Sequence, residues 1–180
     1  MTKQVKIEAD KIHILNIRTL RGNIDCPIDA NIDNVYGHVF GFDLKTALQS
    51  QDNMVGLKLQ VDIEAIDEAN EKLPITGSYT HEIIFKIDNL DDFIEKENGG
   101  EWIDARLGST LVTIIYSTVR GIIYSRTQGT SLGIVILPVI APLKLMGFDE
   151  LPNVQEEKEI ISDANAKLVR KTKKAAKTNK

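Results

Sequence analysis

A single cysteine, Cys26, stands in 180 residues. That count excludes an intrachain disulfide and a cage of several thiolates around a metal within one chain, and leaves Cys26 the role of a small apolar filler. Histidine is nearly as scarce. His13, His38 and His81 stand singly on predicted strands without paired metal-ligand spacing and read as satisfied structural histidines rather than ligands, although His38 and His81 could share a face of neighbouring strands. No phosphate loop is present: Gly121 to Ser131 is glycine-containing but lacks the Gly-Lys-Ser/Thr ending and does not separate a strand from a helix. Ser109, Ser117 and Ser125 lack the glycine elbow of a hydrolase nucleophile. The acids Asp91, Asp92, Glu95 and Glu97 read as a solvated turn, because acid–base work requires an apolar pocket to shift a pKa. These absences argue against an enzyme and against a metal or cofactor. Met1 to Gln4 also lacks the basic-then-apolar pattern of a secretion signal, so a cytoplasmic location is expected.

Charge is present but unevenly placed. The last fifteen residues hold seven Lys or Arg (Lys167, Arg170, Lys171, Lys173, Lys174, Lys177 and Lys180) and no acid, so the remaining fifteen bases face 26 acids, a body of −11. A body that acidic disfavours nucleic acid or an anionic membrane as the main partner. The basic end reads as a solvated terminus.

Period-two alternation marks the strands. From Met54 to Ile66, Val55, Leu57, Leu59, Val61, Ile63 and Ala65 share one face while Lys58, Gln60, Asp62 and Glu64 share the other, the pattern of a sheet with one wet face. Tyr36, His38, Phe40, Phe42 and Leu44 form an aromatic-rich row before it, and Tyr79, His81, Ile83, Phe85 and Ile87 a third row after it. Val5 to Leu20 is a weaker, outer strand. A short polar turn at Gln49 to Asn53 and a longer loop from Asp67 to Thr76 suggest an antiparallel meander.

The pattern changes at Asn98-Gly99-Gly100. Asp104 is a candidate N-cap for a helix through about Arg126, with Leu107, Leu111, Ile114 or Ile115, Val119 and Ile122 at helical spacing to cover the sheet. Leu107 to Ile123, whose one charge is Arg120, is too short and too charged for the roughly 20 apolar residues of a bilayer span. An apolar tract, Leu132 to Leu143, follows, broken by Pro138 and Pro142, which prevent a continuous helix. With almost no polar side chains, it must either enter a core or line an apolar groove. Farther on, Asn153 with Glu156 suggests a capping box, and the acids at that start with bases at its end predict a terminal helix.

The expected fold is α+β: a four-stranded antiparallel sheet packed by a long helix over residues 1–150, then an additional C-terminal helix and basic tail over 151–180. This order of parts resembles the SecB protein-export chaperone family. The likeness covers about Lys11 to Met146. It is carried most specifically by Ser117-Thr-Val-Arg-Gly-Ile-Ile-Tyr-Ser-Arg-Thr-Gln-Gly-Thr-Ser-Leu-Gly-Ile-Val-Ile-Leu-Pro-Val-Ile, similar to the family's helix, break and Leu-x-Pro-hydrophobic segment, and secondly by the paired strands Val39 to Leu48 and Val55 to Ala65.

The resemblance implies a homotetramer, a dimer of dimers, that holds unfolded client polypeptides without ATP in an apolar groove lined by Phe93, Leu132, Ile134, Val135, Ile136, Val139 and Ile140. It also implies a partner-docking sheet face. In secretion members, carboxylates there receive the basic tail of the motor ATPase SecA. The best-aligned positions here are Arg18, near the end of the first strand, and Lys86, and reversed charges repel that partner. Asp62, Glu64 and Glu82 leave some acid on the face. Some relatives instead serve toxin–antitoxin pairs. Two other readings stay open: an adaptor or structural protein binding one folded partner on this scaffold, and a small-molecule binder or enzyme using the same cavity.

Overall fold

A computed structural model describes residues 6–97 and 100–147. Strands β1 (Ile12–Asp25), β2 (Gly37–Gln49), β3 (Met54–Ile66) and β4 (Lys72–Ile87) form one antiparallel sheet in the order β1-β4-β3-β2. A hairpin of β5 (Ile94–Glu97) and β6 (Gly100–Ile103) precedes the long helix α1 (Ala105–Thr127), and a single helical turn, α2 (Pro142–Leu145), follows the apolar tract.

The alternation of β3 does what its sequence requires. Val55, Leu57, Leu59, Val61, Ile63 and Ala65 are buried on the helix side, and β4 adds Tyr79, His81, Ile83, Phe85 and Ile87. Asn53 closes the β2–β3 turn with φ 56°, a left-handed conformation that asparagine tolerates. Asp104 caps α1 as expected, its Oδ1 accepting from the Arg106 and Leu107 amides at 2.8 and 3.4 Å. Its buried face is Leu107, Leu111, Ile115, Val119 and Ile123, with Val112 and Tyr116 beside them. Ile115 therefore takes the place left open between Ile114 and Ile115, and Ile123 replaces the expected Ile122. At 23 residues α1 does reach membrane-spanning length, contrary to the shorter segment read from the sequence, and its apolar face is packed on the sheet.

Three expectations change. The meander holds for β2, β3 and β4, but β1 pairs with β4 rather than β2, because the 11-residue connection 26–36 carries the chain to the opposite edge. β1 also lies later than expected, so Arg18 is at mid-strand opposite Glu82. The loop 67–76 shrinks to a turn: Asp67 Oδ1 accepts from the amides of Ala69 and Glu71, both at 2.9 Å, and β4 starts at Lys72. Pro74 is tolerated inside β4 because it lies beyond the stretch paired with β1 and beside a register shift against β3. The expected helix and basic tail of 151–180 lie outside the described residues.

Candidate functional site

The tract after α1 is neither core nor surface but alternates between them. Leu132, Val135 and Leu137 are 0% exposed, whereas Ile134, Ile136 and Val139 are 61%, 57% and 86% exposed. Its backbone forms neither helix nor strand up to Pro142 and is entered through Gly129 and Gly133, whose φ values of 73° and 69° suit glycine.

Three side chains clamp this backbone. His38 Nε2 donates to the Leu132 carbonyl at 2.8 Å, which fixes its tautomer. The Val135 amide donates to Thr127 Oγ1 at 3.2 Å, and that hydroxyl donates in turn to the Ile123 carbonyl at 3.0 Å. Tyr116 Oη donates to the Pro138 carbonyl at 2.5 Å. Burial holds the Tyr116 phenol above its usual pKa, so it keeps the proton it donates. Tyr116 also meets Phe42 at 5.9 Å between ring centroids, tying the clamp to the Phe40–Phe42 stack on β2.

Two glycines admit the ends of the tract. A Cβ at Gly77 would lie 2.7 Å from Leu132 Cδ1, and one at Gly108 would lie 2.7 Å from Met146 Cε. With the inner side chains seated and the backbone tied, the outer row stays largely exposed among the described residues. At the far end of this row, between Val139 to Leu145 and α1, lies a groove of about 360 Å³ lined by Tyr116, Val139, Ile140, Pro142 and Leu145, with Thr113, Ser117 and Arg120 on its polar side; Ile134 and Ile136 lie outside it.

The expected groove set is thus split. Ile134, Ile136, Val139 and the half-buried Ile140 are reachable, while Leu132, Val135 and Phe93 (3% exposed) are sealed in the core and do not line an open surface in this chain. From Ile134 to Leu137 the split follows alternation, with neighbouring side chains pointing to opposite sides; Leu132 lies in the turn before it, and Phe93 in the turn that precedes β5. Sequence reasoning missed the clamp. Thr127 gave no local signal, and His38, read as a satisfied structural histidine, gave no hint of its partner.

The sheet's outer face brings together Arg18, Asp62, Glu64, Glu82 and Lys86, but their charges are mostly matched. Arg18 pairs with Glu82, and Lys72 with Glu64. Asp62 accepts from Ser78 Oγ at 2.7 Å and Gln60 Nε2 at 2.9 Å. Lys86 lies toward one end, opposite His13 and Met54. His38 and His81 are not on neighbouring strands, because β3 runs between theirs, and among the described residues no group of three His, Cys, Asp or Glu could hold a metal ion. Cys26 is half-buried and packs against the core.

No protein-family model and no curated protein matches the sequence. Among solved structures, the chain is similar to the Mycobacterium tuberculosis SecB-like chaperone Rv1957 in complex with a ChAD peptide from the HigA1 antitoxin, at 14% identity and a TM-score of 0.53, covering 73% of this chain and 92% of that one. A Streptococcus agalactiae protein of unknown function aligns at 9% identity and a TM-score of 0.39, over 71% of this chain and 97% of that one. The four-stranded antiparallel sheet, the long helix and the short helix after it make the fold of this chain SecB-like.

Proposed function

We propose that this chain is a non-enzymatic, ATP-independent holding chaperone that binds non-native polypeptide along the outer row of its apolar tract. The observation that carries this reading is the exposure of Ile134, Ile136 and Val139 on a segment whose opposite row is fully buried. Covering an apolar side chain recovers about 25 cal/mol per Å², and an unfolded client supplies apolar side chains in any order. Among the described residues, no hydrogen bond engages the backbone of the outer-row residues Ile134, Ile136 and Val139. An extended client can therefore add hydrogen bonds to free peptide groups as well as contacts to the side chains. Many weak contacts of this kind tolerate differences in client sequence.

The edge strand β1 supports a homo-oligomer, with a tetramer as the state we propose. It is exposed along nearly its whole length and presents Ile14, Leu15, Ile17 and Leu20, so its unpaired edge invites a second copy. A labile client such as an antitoxin, held in the cytoplasm, suits the chain better than delivery to SecA. The outer face has its carboxylates already occupied by Arg18, Lys72, Ser78 and Gln60, which weakens any attraction for a basic tail. The SecB-like neighbour bound to an antitoxin peptide favours the same client class.

The test is aggregation of several unrelated, chemically unfolded proteins without nucleotide. Stoichiometric wild-type chain is expected to suppress it, and Ile134→Ser with Ile136→Asp to lose most of that protection while far-UV circular dichroism is unchanged. Protection undiminished by the double substitution would remove the outer row as the client surface. Protection of one folded partner alone would turn the assignment to an adaptor.

A further inference from the structure

The groove beside the tract is not uniformly apolar. Arg120, the single charge along the middle of α1, opens onto it together with Ser117 and Thr113, facing Val139, Ile140, Pro142 and Leu145. Thr113 Oγ1 is committed to the Ser109 carbonyl at 2.8 Å. Arg120 is half-buried and has no ion pair or hydrogen bond among the described residues. Its one electrostatic neighbour of note is the Tyr116 phenol, whose own proton is given to Pro138.

A guanidinium placed among apolar side chains is partly stripped of water and keeps five donors in a planar fork. Its best partner is a carboxylate, which the fork meets with two parallel hydrogen bonds of roughly twice the neutral strength. We propose that Arg120 makes the groove selective, so that the favoured client segment is an apolar stretch carrying one internal Asp or Glu. This rests on the chaperone reading above and narrows the class of peptide that the groove takes.

The rest of the chain sets the limit of that preference. The body before the basic end carries −11, which repels runs of acid at a distance. One carboxylate among apolar neighbours gains the local pair without incurring that repulsion repeatedly. Ser117, one turn before Arg120 on the polar side of the groove, offers a hydroxyl to the same carboxylate.

Fluorescence anisotropy of the full chain with labelled decapeptides decides this. The peptides share one apolar sequence, are acetylated and amidated at their ends, and carry Glu, Gln or Lys at the centre. The Glu peptide is expected to bind about tenfold tighter than the Gln peptide, and the Lys peptide more weakly than either. Arg120→Gln should make Glu and Gln equal, and Arg120→Glu should reverse the order in favour of Lys. Equal binding of Glu and Gln peptides to the wild type, or a Glu preference that survives Arg120→Gln, overturns the proposal while the groove stands. A Gln peptide with a free C-terminus that outbinds the amidated Glu peptide assigns Arg120 to chain ends and overturns the internal acid. A Gln peptide that does not bind at all overturns the groove reading and this one with it.

Discussion

β3 and the tract after α1 each bury one row of side chains and expose another, yet their outward rows have opposite chemistry. β3 turns Lys58, Gln60, Asp62 and Glu64 away from the helix, whereas the tract turns Ile134, Ile136 and Val139 away from the core. The inner rows answer to folding, since each completes the same apolar cluster. On β3 the outer row meets the ordinary demand of water. An outer row of isoleucine and valine meets no such demand, and the proposed client contact rests on that difference.

The comparison breaks first if the two inner rows are not equivalent. Leu59→Ala and Leu137→Ala each remove a fully buried side chain and should each cost about 2–5 kcal/mol in urea unfolding. A Leu137→Ala variant as stable as the wild type would mean that the tract is laid loosely on the sheet rather than built into it.

His81 sharpens the comparison from the sheet side, because it is an inner-row residue whose two ring nitrogens have no partner among the described residues. Burial, helped by the nearby Arg126 guanidinium, pushes its pKa below the usual 6.5. The unfolded chain therefore takes up the proton first. Stability is complete above about pH 6.5 and falls as the pH drops below it toward the depressed folded value. His81→Leu removes an unsatisfied buried group, and is expected to stabilise the chain by about 1 kcal/mol at pH 7 and by more at pH 5. Chemical denaturation at the two pH values checks both signs; an equal effect at each would show that His81 does not carry the acid sensitivity.

The sheet was largely legible in the residues because each of β2, β3 and β4 has one dry face, and alternation records dryness. β1 was misplaced for the same reason: it is exposed on both sides, so its alternation carries little information, and nothing local told it to pair with β4 across the sheet. The β5–β6 hairpin was missed because four-residue strands are too short for a period to show, although Asn98-Gly99 is a strong turn pair. At the site, the composition of the tract announced an apolar role, but which half faces outward depended on the path of its backbone after the Gly129–Gly133 break. The clamp of His38, Thr127 and Tyr116 joins positions up to 94 residues apart, and no spacing rule reaches that far.

The smallest expected effect is the most discriminating. If the outer row answers to a partner, removing its apolar groups should leave the isolated chain nearly unchanged, because these side chains already lie mostly in water. Ile136→Ser is expected to move the unfolding free energy by no more than about 0.5 kcal/mol, against several for Leu137→Ala one residue away. Urea midpoints at several protein concentrations make the test strict. A concentration-dependent loss in Ile136→Ser would assign the outer row to contacts between copies of the chain, since only association links stability to concentration. A flat and negligible change leaves a client as the surface that this row was built to meet.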